Sequence, residues 1–215
     1  GDVLCINENV HMYPASVMKA YVMAATYANM ASGGIKDKAA AESTIAQMIR
    51  YSDNNCHNKL LTMQTSSGTV ADGLKYIDNW LAKNGFAVTR DHHTLHPSTY
   101  ASQSDGSGLH NVTTAKEGAL LMTKIYKGTC VNAYYSNLMK QKLLDQQVKG
   151  FLSGKFPAGA VVADKPGNTI ENYNDIAIVW GPKTDFVISV FTENVPYAVS
   201  QMNDVALMIY NELEK

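Results

Sequence analysis

The 215-residue chain lacks any concentrated positive charge and any long apolar run. Its 18 lysines and arginines are balanced by 19 aspartates and glutamates. Phosphate binding needs a concentrated basic face, so this charge distribution argues against nucleic acid and anionic membrane surfaces as partners. The longest apolar stretch near the start, Ala20 to Met30, is interrupted by tyrosines and Asn29 and is too short to span a bilayer. We therefore expect a soluble globular chain without a membrane span.

Cysteine is also scarce. Cys5, Cys56 and Cys130 are too few and too scattered for a disulfide framework or a thiolate metal site. We expect them to be small buried hydrophobic residues. The opening GDVLC has neither the charged start nor the apolar stretch of a signal peptide, so any export signal is expected to have been removed already.

Helical patterns dominate the first two thirds of the chain. Apolar residues at Val70, Leu74, Ile77 and Leu81, for example, recur at the spacing of one helix face. Glycines such as those at 33–34 are expected to end these helices. Helices are predicted over 15–32, 39–51, 55–64, 69–84, 113–127 and 132–147.

The last third has a different pattern. Short β-branched runs at 159–164, 175–180 and 186–191 predict an antiparallel meander, and 196–213 predicts a closing amphipathic helix. Val3 to Ile6 predicts one further strand. Together these elements predict an α/β (α+β) fold, with an antiparallel sheet flanked by the N- and C-terminal helices. The predicted sheet lobe comprises 1–34 plus 151–215, and the inserted all-helical lobe comprises 35–150.

The polar segment 86–112 shows no periodicity, and loops of this length are usually functional or disordered. It contains His92, His93 and His96, which suggest a metal hydrolase as one alternative function. Their spacing matches no zinc motif, so no metal site is predicted. The remaining histidines look isolated: His11, His57 and His110.

Ser16 and Lys19 lie three residues apart at the start of the first predicted helix. This spacing places both side chains on one helix face, beside the free N–H groups of the helix terminus. A lysine that burial keeps neutral could then take the serine proton. The alternative is an N-cap serine followed by a surface lysine.

Two further motifs follow. Ser52-Asp53-Asn54 separates two predicted helices, and Lys165-Pro166-Gly167 follows the predicted strand ending at Asp164. Taken alone, the first could be an interhelix turn in which Asp53 caps the next helix. The order of the three motifs along the chain carries more information than any one of them.

In this order the motifs resemble those of the penicillin-recognising serine hydrolases, most closely the class A β-lactamase-like branch. The resemblance covers nearly the whole chain. It implies a β-lactamase/transpeptidase-like fold, no cofactor, and an exported protein that is secreted, periplasmic or on the cell surface. It also implies a small-molecule β-lactam or a D-alanyl cell-wall peptide as substrate.

The resemblance also implies residue roles. Ser16 would be the acylated nucleophile and Lys19 its base or proton relay. Ser52 would carry a proton to the leaving nitrogen, Asn54 would hold the substrate amide, and Lys165 would attract the substrate carboxylate and tune Ser52.

The end of the predicted strand would complete the site. The backbone N–H groups of Ser16 and Asn168 would form the oxyanion hole, with Gly167 also in the substrate-binding set. Pro166 departs from the family pattern, because it replaces a threonine or serine whose hydroxyl would touch the substrate carboxylate.

A second departure concerns deacylation. The chain has no glutamate between Phe86 and Lys116, and its only acids there are Asp91 and Asp105. In class A β-lactamases this loop carries the glutamate that activates the deacylating water. The sequence therefore predicts slow deacylation, with Asp105 or Asp91 as possible bases. The alternative is a non-catalytic β-lactam- or peptidoglycan-binding protein that retains the fold.

Overall fold

A computed structural model of the chain describes residues 2–96 and 103–215. Helices form its first part and a sheet its second. The elements are a 3-10 helix (Ala15–Val17), α1 (Met18–Ser32), α2 (Lys38–Arg50), α3 (Asn54–Met63), α4 (Val70–Lys83), α5 (Ala115–Tyr126), α6 (Ala133–Leu144), β1 (Val161–Asn168), β2 (Asn172–Trp180), β3 (Asp185–Glu193) and α7 (Ala198–Leu213).

The helices begin where side chains cap them. In five of them an Asp, Thr or Asn side chain accepts a hydrogen bond from the backbone N–H three residues later, which satisfies a donor that the helix itself cannot. These caps are Asp37, Asp53, Thr69, Thr114 and Asn132. Gly33 ends α1 with a φ of 82°, a conformation that suits glycine. The predicted helices are confirmed, with small shifts at their ends.

The sheet is antiparallel with the order β1-β2-β3. β1 continues through Lys165, Pro166 and Gly167 to Asn168, so it runs past the predicted end at Asp164. Pro166 is tolerated in the strand because β1 pairs on one side only, with β2, within the described part of the chain.

The predicted first strand is wrong. The segment 3–6 forms no strand and its apolar side chains are exposed, with Val3 at 83% and Ile6 at 77%. Four apolar residues without period-2 alternation do not specify a strand unless a sheet edge receives them. Cys5 lies in the same segment and is exposed, and Cys56 is half-buried, so only Cys130 is buried as predicted.

Apolar side chains cover both faces of the sheet. The larger core surrounds α1, whose residues such as Tyr21 and Met23 are fully buried, and it extends to Ala163 and Ile176 of the sheet. On the other face Ala177 and similar residues pack against α7. The larger core contains residues of both predicted lobes and does not separate them. The proposed lobe boundaries at 34 and 151 therefore stay a prediction. None of the described helices has the length and apolar character needed to cross a membrane.

Candidate active site

The 3-10 turn before α1 brings Ser16 and Lys19 together. Ser16 is half-buried, Lys19 is fully buried, and Lys19 Nζ lies 2.6 Å from Ser16 Oγ. This placement rules out the reading of Lys19 as a surface lysine. Ala15, directly before the serine, has a φ of 47°, which costs a non-glycine residue free energy and is typical of functional sites.

Lys19 Nζ is surrounded by four oxygen atoms. Besides Ser16 Oγ, these are Ser52 O at 2.7 Å, Asn54 Oδ1 at 2.6 Å and Ser52 Oγ at 3.2 Å. The Ser52 carbonyl and the Asn54 amide oxygen can only accept hydrogen bonds. A neutral amine has two N–H donors for these two acceptors, and its lone pair then remains for the hydroxyl proton of Ser16. The arrangement therefore suits a general base.

The electrostatic surroundings favour the neutral amine. Burial lowers the pKa of Lys19 well below its ordinary value, and the positive charge of Lys165 lowers it further. Nearby acids, of which Asp53 has the largest effect, oppose this shift but do not outweigh it.

Ser52 links the two lysines. Its Oγ lies 3.2 Å from Lys19 Nζ and accepts a hydrogen bond from Lys165 Nζ at 3.0 Å. Lys165 is fully buried and also donates to the Pro166 carbonyl at 2.7 Å. Burial lowers the pKa of Lys165 to about 8, although Asp175 and Asp164 act in the opposite direction. Ser52 has a φ of 56°, so a second residue of this group is also in a strained conformation.

Strand β1 runs directly beside the serine. A Cβ atom on Gly167 would lie 2.7 Å from Ser16 N and 2.6 Å from Val17 N, so only glycine fits there. The structure thus brings Gly167 against the start of the turn that carries Ser16. Assignment of the oxyanion hole to the N–H groups of Ser16 and Asn168 stays a prediction.

Sequence reasoning missed Asn174, which connects β2 to the same turn. Its side chain donates to the Tyr13 carbonyl at 2.9 Å and accepts from Thr192 N at 3.2 Å. Asn174 directly precedes the predicted strand 175–180, and the polar residues around it gave no sign of this role. Asn174 fixes the segment that leads into Ser16.

One face of α3 forms hydrogen bonds with the loop 86–112. Asn54 Nδ2 donates to the His96 carbonyl, and Asn58 exchanges two hydrogen bonds with the backbone of Leu95. The N–H and carbonyl groups of Arg90 and Val112 pair with each other and close the base of the loop. The i, i+4 spacing of Asn54 and Asn58 was a signal that could have predicted this contact face. Residues 97–102 of the predicted loop lie outside the described residues.

His57 is not isolated, so that prediction was wrong. It is fully buried on the same face of α3, with Nδ1 3.0 Å from Asn58 Oδ1 and Nε2 3.0 Å from Asp91 Oδ2. The i+3 spacing from Asn54 places it there. Asp91 is thereby held against α3 through His57.

The two predicted deacylation bases have other partners than Ser16 and Lys19. Among the described contacts, Asp91 binds His57 and Asp105 binds His92, and neither forms a hydrogen bond with Ser16 or Lys19. Burial would raise the pKa of Asp105, but hydrogen bonds from Ser107 and His92 outweigh it and lower the pKa to about 2. A carboxylate of such low pKa is a weak general base near neutral pH.

Glu117, the nearest glutamate after the loop, is also occupied. Its buried carboxylate accepts hydrogen bonds from Val88 N, Thr89 N and the Thr89 hydroxyl. Glu117 therefore fixes the start of the loop. Both of its oxygens are engaged in hydrogen bonds to the loop.

The loop histidines do not converge on one point. His93 Nδ1 contacts the Thr94 carbonyl, and its ring packs against Tyr13. His96 contributes its carbonyl to Asn54, whereas His92 faces Asp105. The structure therefore does not form the three-histidine centre that a metal hydrolase using these residues would need.

Comparison with known proteins identifies the family. The sequence profile described as the beta-lactamase enzyme family matches residues 36–213. The chain belongs to this family. The matched region contains Ser52, Asn54 and Lys165, whereas Ser16 and Lys19 precede it, so their assignment relies on the geometry described above. A comparison with curated protein sequences finds no significant match.

Solved structures show the same fold. A β-lactamase from Sphaerobacter thermophilus is 20% identical with a TM-score of 0.81, covering 99% of this chain and 88% of its own. An ancestral class A β-lactamase is 18% identical with a TM-score of 0.79 and coverages of 97% and 88%. A β-lactamase from Burkholderia vietnamiensis is 17% identical with a TM-score of 0.78 and coverages of 96% and 84%. The predicted β-lactamase-like fold is confirmed.

Proposed function

We propose that the chain is a serine acyl-enzyme hydrolase that acts on β-lactams or on D-alanyl cell-wall peptides. The observation that carries the proposal is the position of Lys19 Nζ, 2.6 Å from Ser16 Oγ in a buried setting that lowers the lysine pKa. A buried amine adjacent to a serine hydroxyl is the arrangement that activates a serine nucleophile. Because the substrates are cell-wall peptides or their mimics, we also propose that the protein acts outside the cytoplasm.

The hydrogen bonds around Lys19 support the following acylation steps. The Ser16 hydroxyl proton moves to Lys19 Nζ as Oγ attacks the substrate carbonyl carbon. The negative charge that develops on the carbonyl oxygen is stabilised by the N–H groups of Ser16 and Asn168. When the tetrahedral intermediate collapses, the bond from carbon to nitrogen breaks and the nitrogen takes a proton.

Ser52 is placed to deliver that proton. Its hydroxyl lies between Lys19 and Lys165, at 3.2 and 3.0 Å from their Nζ atoms. Ser52 gives its proton to the leaving nitrogen and receives one from Lys19, which returns Lys19 to the neutral amine. The net result is an ester on Ser16 and a cleaved amide, with all protons accounted for.

Substrate binding uses Lys165 and Asn54, the first residue of α3. The charge of Lys165 attracts the substrate carboxylate, and the Asn54 amide holds the substrate amide group. Pro166 offers no hydroxyl, so carboxylate recognition depends on the Lys165 charge and on the backbone of β1. This dependence favours tight coupling between the protonation of Lys165 and acylation.

The alternative is a protein of the same fold that binds β-lactams or peptidoglycan without turnover. Pro166 and the absence of a glutamate between 86 and 116 favour it. The two functions differ in covalent chemistry. Incubation of the full chain with a penicillin and a cephalosporin, followed over time by intact-protein mass spectrometry, separates them. A stoichiometric adduct, or consumption of the β-lactam without a lasting adduct, supports the hydrolase. No mass increase together with an unconsumed β-lactam supports the binder.

A further inference from the structure

Away from Ser16, Asp78 of α4 lies close to His92 and Asp105 of the loop 86–112. His92 Nδ1 lies 2.7 Å from Asp105 Oδ2 and 4.0 Å from Asp78 Oδ2. One ligand atom from each of the three residues lies within 4.8 Å of the others. The side chains are only 12%, 18% and 21% exposed for His92, Asp78 and Asp105. Asp78 and His92 are half-buried, whereas Asp105 as a whole residue is exposed and is held to the cluster through its contact with His92.

A second feature is the cavity beside them. It has a volume of about 350 Å³ and is lined by Asp72, Lys75, Asp78, Asn79 and Asp105. This space can hold several water molecules next to the two carboxylates. A bound ion could therefore complete its coordination with water.

The carboxylates are also oriented. Asp78 Oδ1 accepts the N–H of Asp91 at 2.8 Å, and Asp105 Oδ1 accepts the N–H of Ser107 at 2.8 Å. In each residue one oxygen is thus fixed by backbone, and the other, Oδ2, faces the His92 ring. Hydrogen bonds of this kind orient metal ligands before the ion arrives.

We propose that Asp78, His92 and Asp105 bind a divalent transition-metal ion of the zinc class. One imidazole nitrogen with two carboxylate oxygens suits such an ion better than Mg²⁺ or Ca²⁺, which prefer oxygen ligands alone. Tetrahedral bonds of about 2.05 Å require ligand atoms about 3.3 Å apart. The 2.7 Å and 4.0 Å separations lie on either side of this value. Ion binding would therefore move Asp105 Oδ2 away from His92 Nδ1 and bring Asp78 Oδ2 closer to it.

The ion would connect α4 to the loop. His92 and Asp105 belong to the segment whose His96 carbonyl contacts Asn54, which in turn contacts Lys19. Among the described contacts, no member of the cluster bonds to Ser16 or Lys19. The ion therefore has a structural role in stiffening the loop, and it takes no part in acylation.

The test uses the full chain after chelator treatment. Titration with Co²⁺, followed by its visible absorption, and with Zn²⁺, followed by calorimetry, should show one saturable site. Asp72→Asn is the matched control, because Asp72 lines the same cavity but its Oδ2 is bound by the Ser67 and Thr69 hydroxyls. It should keep the affinity, whereas Asp105→Asn and His92→Gln should lower it at least about tenfold.

Metal should also raise the melting temperature of the unmodified chain and of Asp72→Asn, because an ion that binds only the folded state stabilises it. Circular dichroism establishes folding, and if Asp105→Asn fails to fold, His92→Gln decides alone. The proposal is overturned if no saturable binding occurs. It is equally overturned if His92→Gln binds as tightly as the unmodified chain, since the ion would then sit on other histidines such as His11 or His110.

Discussion

The hydroxyl of Ser16 lies 2.6 Å from Lys19 Nζ, closer than the hydroxyl of Ser52 at 3.2 Å, and it is the proposed nucleophile. Ser16→Ala is therefore expected to abolish covalent labelling by penicillin and to leave the fold intact, because a single buried oxygen contributes little packing. Intact-protein mass spectrometry measures the adduct, and thermal unfolding measures the fold. Ser43→Ala, an exposed serine of α2, is the control and should label fully. An adduct of unchanged mass on the alanine variant would disprove the assignment.

Lys19 carries the second prediction. Lys19→Met keeps the side-chain volume and removes the amine, so acylation should slow about 10²- to 10⁴-fold. Lys36→Met, at an exposed position, is the control. In the unmodified chain the rate should rise with pH through the lowered pKa of Lys19, because only the neutral amine accepts the proton. A loss of less than about tenfold in Lys19→Met would assign the base to another group.

The third prediction is that acylation slows at high pH when Lys165 loses its proton. It is charged below its pKa of about 8 and neutral above it, so attraction of a substrate carboxylate should weaken as pH rises through that value. Stopped-flow acylation should therefore fall above pH 8 for a penicillin. An esterified analogue without the carboxylate should not show this fall. If both substrates have the same high-pH limb, Lys165 does not act through the carboxylate.

At the scale of elements, the approach of β1 to the turn before α1 decides whether the site forms. Gly167→Ala would place a methyl group 2.6–2.7 Å from the backbone atoms Val17 N, Ser16 N and Pro14 O. It should lower the free energy of unfolding by about 1–3 kcal/mol and slow acylation. Denaturant unfolding and mass spectrometry measure the two effects.

Gly159 provides the matched control. A Cβ there would meet only Pro182 Cγ, at an ordinary 3.5 Å. Gly159→Ala should therefore leave acylation unchanged. Equal effects of the two alanines on acylation would show that the contact between β1 and the turn does not position the nucleophile.

The elements also show what sequence could and could not predict. Caps and 3.6-residue periodicity are local signals, so helices such as α4 were predicted nearly to their ends. The strand prediction for 3–6 was wrong because four apolar residues form a strand only where they can pair with a sheet edge. Whether such an edge is available depends on the whole fold. The role of Asn174 was missed for a different reason. Its long-range contact with the Tyr13 carbonyl leaves no local pattern.

Within the site, the family resemblance carried by the three motifs implied that Ser16, Lys19, Ser52 and Lys165 act together, and their side chains lie within hydrogen-bond distance of one another in the structure. The loop was less predictable. Asp91 and Asp105 were predicted as bases from residue type alone, but folding directs one to His57 and the other to His92. Which partner a loop carboxylate finds depends on the path of the backbone, and periodicity does not encode that path.

At the scale of the whole molecule, acylation and deacylation depend on different parts of the fold. In the proposed acylation, Ser16 comes from the 3-10 turn, Lys19 from α1, Ser52 from the segment before α3, and Lys165 from β1. Deacylation needs in addition a water near the ester carbonyl and a base to take its proton. The loop would have to supply that base, but its described acids are held by His57 and His92, and Glu117 is occupied at the start of the loop.

We therefore predict that a penicilloyl ester on Ser16 accumulates and persists for minutes or longer. Product formation should show a burst of one equivalent per chain followed by a slow phase, and the burst should be absent in Ser16→Ala. Intact-protein mass spectrometry of the same samples should show the adduct throughout the slow phase. Rapid steady hydrolysis with no adduct at early times would contradict the prediction. Replacing Asp91 and Asp105 in turn by asparagine would then identify the base, because only the variant that lacks it should trap the ester.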